Sequence, residues 1–147
     1  MGTVRRIAWF LSIVGILIFA GITAMLFSPA SSVRVPAIAA LVTFAAIVLA
    51  HLGGIEWGLA LREESGTETT RAIALGLASV PSLAAWGIFW LPSPQWQLGA
   101  ALALFVAVWC ADLWLSRQGL LPARFVDMRT AVTAIVAVIL GLALWLL

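Results

Sequence analysis

"PAIAALVTFAAIVLAHLGGIEWGLALR", Pro36 to Arg62, runs for 26 residues before its first arginine, interrupted only by Thr43, His51 and Glu56. At 1.5 Å per residue the run is about 39 Å long as a helix, enough to cross the roughly 30 Å hydrocarbon core of a bilayer. Four more runs have the same character: Ile7–Phe27, Ala72–Leu91, Trp96–Leu115 and Thr130–Leu147. Backbone N–H and C=O groups find no water in lipid, so each run satisfies them internally as a helix. The apolar-polar alternation of a membrane β-barrel is absent. The expected fold is therefore all-α, a single domain over 1–147 with five transmembrane helices at about 7–27, 36–61, 72–91, 96–115 and 122–147.

Composition points the same way. Of the 147 residues, 64% are hydrophobic and 10% charged, and the mean hydropathy is +1.15. Soluble domains are about 45–50% apolar and 25% charged. The lipid bilayer is thus the first expected partner. The isoelectric point near 10.0 does not imply nucleic acid, because the eight basic residues are all Arg and sit in short connections rather than along one face. The single cysteine, Cys110, builds neither a disulfide framework nor a Cys-rich metal site, and lies in an apolar run as a small buried hydrophobe.

The connections carry breaker chemistry: "SPASSVRVP", "REESGTETTR", "PSPQ" and "RQGLLPARFVDMR". Being short, they make neighbouring helices antiparallel. With the N-terminus in the cytoplasm, that side collects Arg5, Arg6, Arg62, Arg71, Arg117, Arg124 and Arg129, leaving Arg34 outside. Seven against one predicts N-in, C-out. Tryptophans agree, with Trp90, Trp96 and Trp145 toward the outer boundary and Trp9, Trp57 and Trp114 toward the inner one. Arg5-Arg6 followed by an apolar run and "FSPASS" imitates a secretory signal, but the run exceeds the usual signal core and is read as a retained helix.

On the second helix, Glu56 lies about 9 Å and His51 about 16 Å above the Arg62 end. Asp112 precedes Arg117 by five residues on a helix running the same way, so the two carboxylates share one depth, near Arg62, Arg117, Arg124 and Arg129. Charged groups at such depths face the bundle interior or a wet cavity. Ala46, Ala50, Gly54 and Gly58 repeat every four residues as a small-residue packing ridge, with Trp57 beside it and Glu56 about 160° from Gly54. That geometry predicts a packing face and an opposed acidic face, and places this helix centrally. Gly119 suits a helix C-cap and Pro122 a first helical turn.

Two readings of the polar layer stand open. In one, Glu56 and Asp112 line a cytoplasm-facing cavity that handles a proton, cation or small ligand, with His51 as the next station and Arg62, Arg117 and Arg129 as partners. In the other, each carboxylate is satisfied by an arginine or backbone group and fixes helix register, and His51 makes one interhelical hydrogen bond. His51, Cys110, Asp112 and Glu56 lack metal-ligand spacing, so no metal or other cofactor is expected. With no catalytic triad, phosphate loop or dinucleotide fingerprint, no enzyme is expected either.

"HLGGIEWGLAL" together with "WCADLWLSRQGLLPARFVDMRTAVT" resembles a family of small proteobacterial inner-membrane proteins known as a domain of unknown function, with mitochondrial inner-membrane relatives. The resemblance covers almost the whole chain. Its recurrent elements fall on Gly53, Gly54, Trp57, Gly58, Asp112, Gly119, Leu120, Pro122 and Arg129, and it implies a multi-pass bacterial inner-membrane protein without implying an activity. The His51 position is often apolar in that family, so no obligatory role for His51 is implied. Two function classes remain: a ligand- or proton-handling protein, which a chain this short supports as a homo-oligomer, and an accessory or assembly subunit of a larger membrane complex.

Overall fold

The computed structural model describes residues 2–61 and 67–147, the side chain of Val4 excepted. Five helices follow one another: α1 (Thr3–Met25), α2 (Ser31–Ala60), α3 (Glu68–Ile88), α4 (Pro94–Arg117) and α5 (Ala123–Leu146). All five are long and apolar enough to cross a membrane, and no strand occurs among the described residues. This is a multi-pass membrane protein.

Backbone neighbours define the bundle. α2 packs against α1, α3 and α4, α4 packs against α2, α3 and α5, and α1 and α5 close the ring. The expected central position of α2 is therefore shared with α4. One apolar core joins Phe19 of α1, Leu41, Ala45 and Leu49 of α2, Ala85 of α3, Leu98 and Phe105 of α4, and Leu140 of α5. A second cluster, at the other end, gathers Ala60, Ala74, Leu115, Leu120, Leu121 and Val126.

α2 begins at Ser31, five residues before the expected start at Pro36. A proline this early removes one backbone donor from the ladder while leaving the rest of the helix intact. With 30 residues, α2 is about 45 Å long, against about 31 Å for the 21 residues of α3. At the long end of α2, Arg34 donates from Nη2 to the Leu146 carbonyl at 2.6 Å, a cation on the C-terminus of α5.

The α4–α5 turn sets the register of the site. The N–H of Gly119 donates to the Ser116 carbonyl and that of Leu120 to the Leu115 carbonyl, both at 3.0 Å, with Gly119 at φ 77°. This is a Schellman ending, whose left-handed residue suits glycine. Leu120 and Leu115 meet in the same apolar cluster. Pro122, at φ −65°, is the N-cap of α5 rather than a residue of its first turn, and α5 starts at Ala123.

Candidate functional site

Three charged side chains occupy core positions. The buried stripes run Leu49, Gly53, Glu56, Ala60 on α2, Phe105, Val108, Asp112, Leu115 on α4, and Val126, Arg129, Thr133, Val136 on α5. Steps of three and four residues hold each stripe to one helix face. Glu56, Asp112 and Arg129 thus stand where apolar side chains would otherwise close the bundle.

Arg129 donates from Nε to Asp112 Oδ2 at 2.8 Å, and the two side chains are 8% and 1% exposed. The pair belongs to a seam between α4 and α5. Trp109 donates from Nε1 to Thr130 Oγ1 at 2.9 Å, and Ser116 Oγ donates to the Leu121 carbonyl at 3.2 Å. Positions 109, 112 and 116 are three and four residues apart and so share one face of α4.

Glu56 is 2% exposed and within electrostatic reach of both Asp112 and Arg129. Neither of its carboxyl oxygens, nor Asp112 Oδ1, has a hydrogen-bond partner among the described residues. A buried polar group without a partner costs free energy comparable to a lost hydrogen bond. The cluster sets two carboxyls against one guanidinium.

Beside this cluster a cavity of about 450 Å³ lies between α1, α2 and α5, with Phe105 of α4 in its wall. Its polar lining consists of Ser12, His51, Arg129 and Thr133. Arg129 therefore faces the ion pair and the cavity at once, whereas Glu56 and Asp112 do not line it. A second space of about 460 Å³, reaching Arg5 and Arg124, shares Ala8, Phe125 and Met128 with the first.

The structure redraws several expectations. The close approach on α2 falls on Gly53, where an added Cβ would lie 2.5 Å from the Ala78 carbonyl oxygen of α3. Gly54 and Gly58 are exposed and a Cβ on either would meet nothing within 4 Å, so within this chain they are not the packing ridge. Of the other ridge residues, Ala46 is buried and Ala50 half-buried. Gly53 and Glu56 are only about 60° apart around the helix, so packing and acidic faces adjoin rather than oppose. Trp57 joins α2 to α3 by donating from Nε1 to Ser79 Oγ at 2.9 Å. His51 is exposed toward the cavity instead of bonded between helices. Cys110 is exposed rather than buried. Arg117 and Arg124 are exposed at the helix ends, and Arg62 lies outside the described residues. Thr133 and the cavity residues of α1 escaped the sequence reading because hydroxyl and apolar side chains carry no signal of what they line.

A multi-pass helical membrane protein with a buried carboxyl–guanidinium cluster is the class that fold and site define. The chain belongs to the family described as protein of unknown function (DUF3429), whose profile matches residues 4–145. No curated protein matches the chain, and no solved structure does.

Proposed function

We propose that the protein handles a small ligand or a proton through the polar layer of Glu56, Asp112 and Arg129, without acting as an enzyme. The layer lies in the cytoplasmic leaflet of a bacterial inner membrane, with the N-terminus in the cytoplasm, a reading supported by the arginine distribution. The observation that carries the reading is the buried Glu56 carboxyl, unpartnered among the described residues next to an existing ion pair. Pure register-setting needs only Asp112 and Arg129; a second buried carboxyl at that depth marks a functional group by default. A cation is the least suited cargo, because the adjoining cavity presents Arg129 and His51 and no carboxylate.

The test is to extract the protein in mild detergent, weigh the assembly by native mass spectrometry and identify what is released. A defined small molecule that disappears in the Glu56→Gln, Asp112→Asn double variant supports the reading. An unchanged bound molecule and an unchanged cellular phenotype in a folded double variant would sink it.

A second reading, an accessory subunit of a larger complex, draws on the exposed Gly54 and Gly58 face of α2, which leaves room for another helix. A stoichiometric foreign protein in the same spectrum would select it.

A further inference from the structure

The space between α1 and the α2–α5 wall has the make-up of a binding pocket. Its volume, about 450 Å³, falls within the range of small-molecule sites, which are mostly apolar with a few placed polar groups. A ring with the first part of a tail suits a site of this size. Part of the wall is aromatic: Phe19 meets Phe44 at 4.8 Å and Phe105 at 6.0 Å between ring centroids, and all three line the space.

The polar groups select the head. Arg129 is more than nine-tenths buried, lines the cavity and gives its Nε to Asp112. A guanidinium has five N–H donors, so this anchor has donors to spare. Its charge, however, is already matched by Asp112, and the Glu56 carboxyl lies within reach behind it. The pocket thus offers hydrogen-bond donors, with His51 as a further one, but no uncompensated positive charge. An anionic head would have to share Arg129 with Asp112, and a cationic head would face Arg129 with no carboxylate in the lining. A neutral acceptor meets neither penalty. On the bilayer side, Leu11, Val14 and Ile18 of α1 line the cavity and are themselves exposed, which gives a tail an apolar way out.

We infer that this cavity binds a neutral, membrane-soluble molecule with a carbonyl-bearing ring and a single apolar tail, the quinone class of lipophile, with its carbonyl accepting from Arg129 and His51. The assignment deepens the ligand-handling reading, since it uses Arg129 as the link between pocket and carboxyl layer, yet the pocket is tested separately from that layer. Decylubiquinone is the probe, titrated into the purified protein in detergent and counted by native mass spectrometry. Palmitate and dodecyltrimethylammonium serve as anionic and cationic heads on comparable tails.

One decylubiquinone per chain is expected, bound at least tenfold more tightly than either comparison. Gly15 lines the space, and a Cβ there meets nothing within 4 Å. Gly15→Leu therefore fills the cavity and lowers decylubiquinone occupancy at least tenfold while helicity by circular dichroism is unchanged. His51→Leu, at an exposed position, lowers it severalfold and stands in should Gly15→Leu fail to fold. Palmitate binding as tightly as decylubiquinone overturns the neutral-head assignment. Undiminished binding in both folded variants overturns the cavity as the site. Decylubiquinone lost in Gly15→Leu but retained in Glu56→Gln, Asp112→Asn upholds the pocket and removes the carboxyl layer from ligand handling.

Discussion

α3 and α1 both lie against α2, and they are held to it by different means. Toward α3 the backbones meet at Gly53 and Ala78, with Trp57 bonded to Ser79 and Ser82 Oγ donating to the Ala50 carbonyl at 3.4 Å. Toward α1 the Phe19 ring packs against Phe44, and the cavity opens between the two helices. Only 11% of the apolar window of α1 is buried, against 33% for α2. Lipid tails are as apolar as leucine, so helices in a bilayer are joined by close backbone approach and hydrogen bonds rather than by burial of oil. One side of α2 has those joints and the other has almost none. The molecule is therefore a fastened unit of α2 to α5 with α1 laid along it as the wall most easily parted.

The sharpest way to break that contrast is to cut the fastened unit at its ion pair. Arg129→Met leaves Asp112 and Glu56 buried without their cation, and loss of one partner of a buried pair costs about 3–5 kcal/mol. The loss should show in reversible unfolding in detergent micelles and be largely relieved by adding Asp112→Asn. A single-variant cost below about 0.5 kcal/mol would mean that the pair fastens nothing.

Next in size is Gly53→Ala, whose methyl must displace the α3 backbone. It should lower stability by about 1–3 kcal/mol, the usual range for overpacking. Gly15→Ala on the α1 side should change stability by less than about 0.5 kcal/mol, as expected away from tight contacts. Equal effects at the two glycines would erase the distinction between the sides.

The smallest expected effect is Trp57→Phe, which removes one interhelical hydrogen bond worth about 0.6 kcal/mol on average in a membrane protein. Hydrogen exchange at the α2–α3 boundary, rather than global unfolding, is the measurement able to resolve it. No change there would show that the Trp57–Ser79 bond takes no part in joining these helices.

The five helices were legible because hydrocarbon thickness imposes a length and lipid forbids unpaired backbone, and both constraints act on composition alone. The matched depth of Glu56 and Asp112 was readable too, from their distance to the next arginine. Which arginine pairs with Asp112 was not read from depth. The answer lay in the stripe Val126, Arg129, Thr133, Val136, whose spacing marks Arg129 as inward and leaves Arg124 outside. Gly53 and Gly54 illustrate a harder limit. Adjacent glycines differ by 100° around the helix, and choosing between them requires knowing on which side α3 lies. The cavity had no signature at all, because it is defined by atoms that fail to meet across three helices.

The length of α2 ties the protein to its surroundings. α2 outruns α3 by about 14 Å, and its extra turns carry Arg34, bonded to the end of α5. Held upright, it would overshoot a hydrocarbon layer of about 30 Å, so the bundle leans or the bilayer thickens around that corner. Membrane thickness thus acts on the molecule as a lateral load, concentrated at the Arg34 corner. A thicker bilayer lets the bundle stand straighter, and a thinner one tips it.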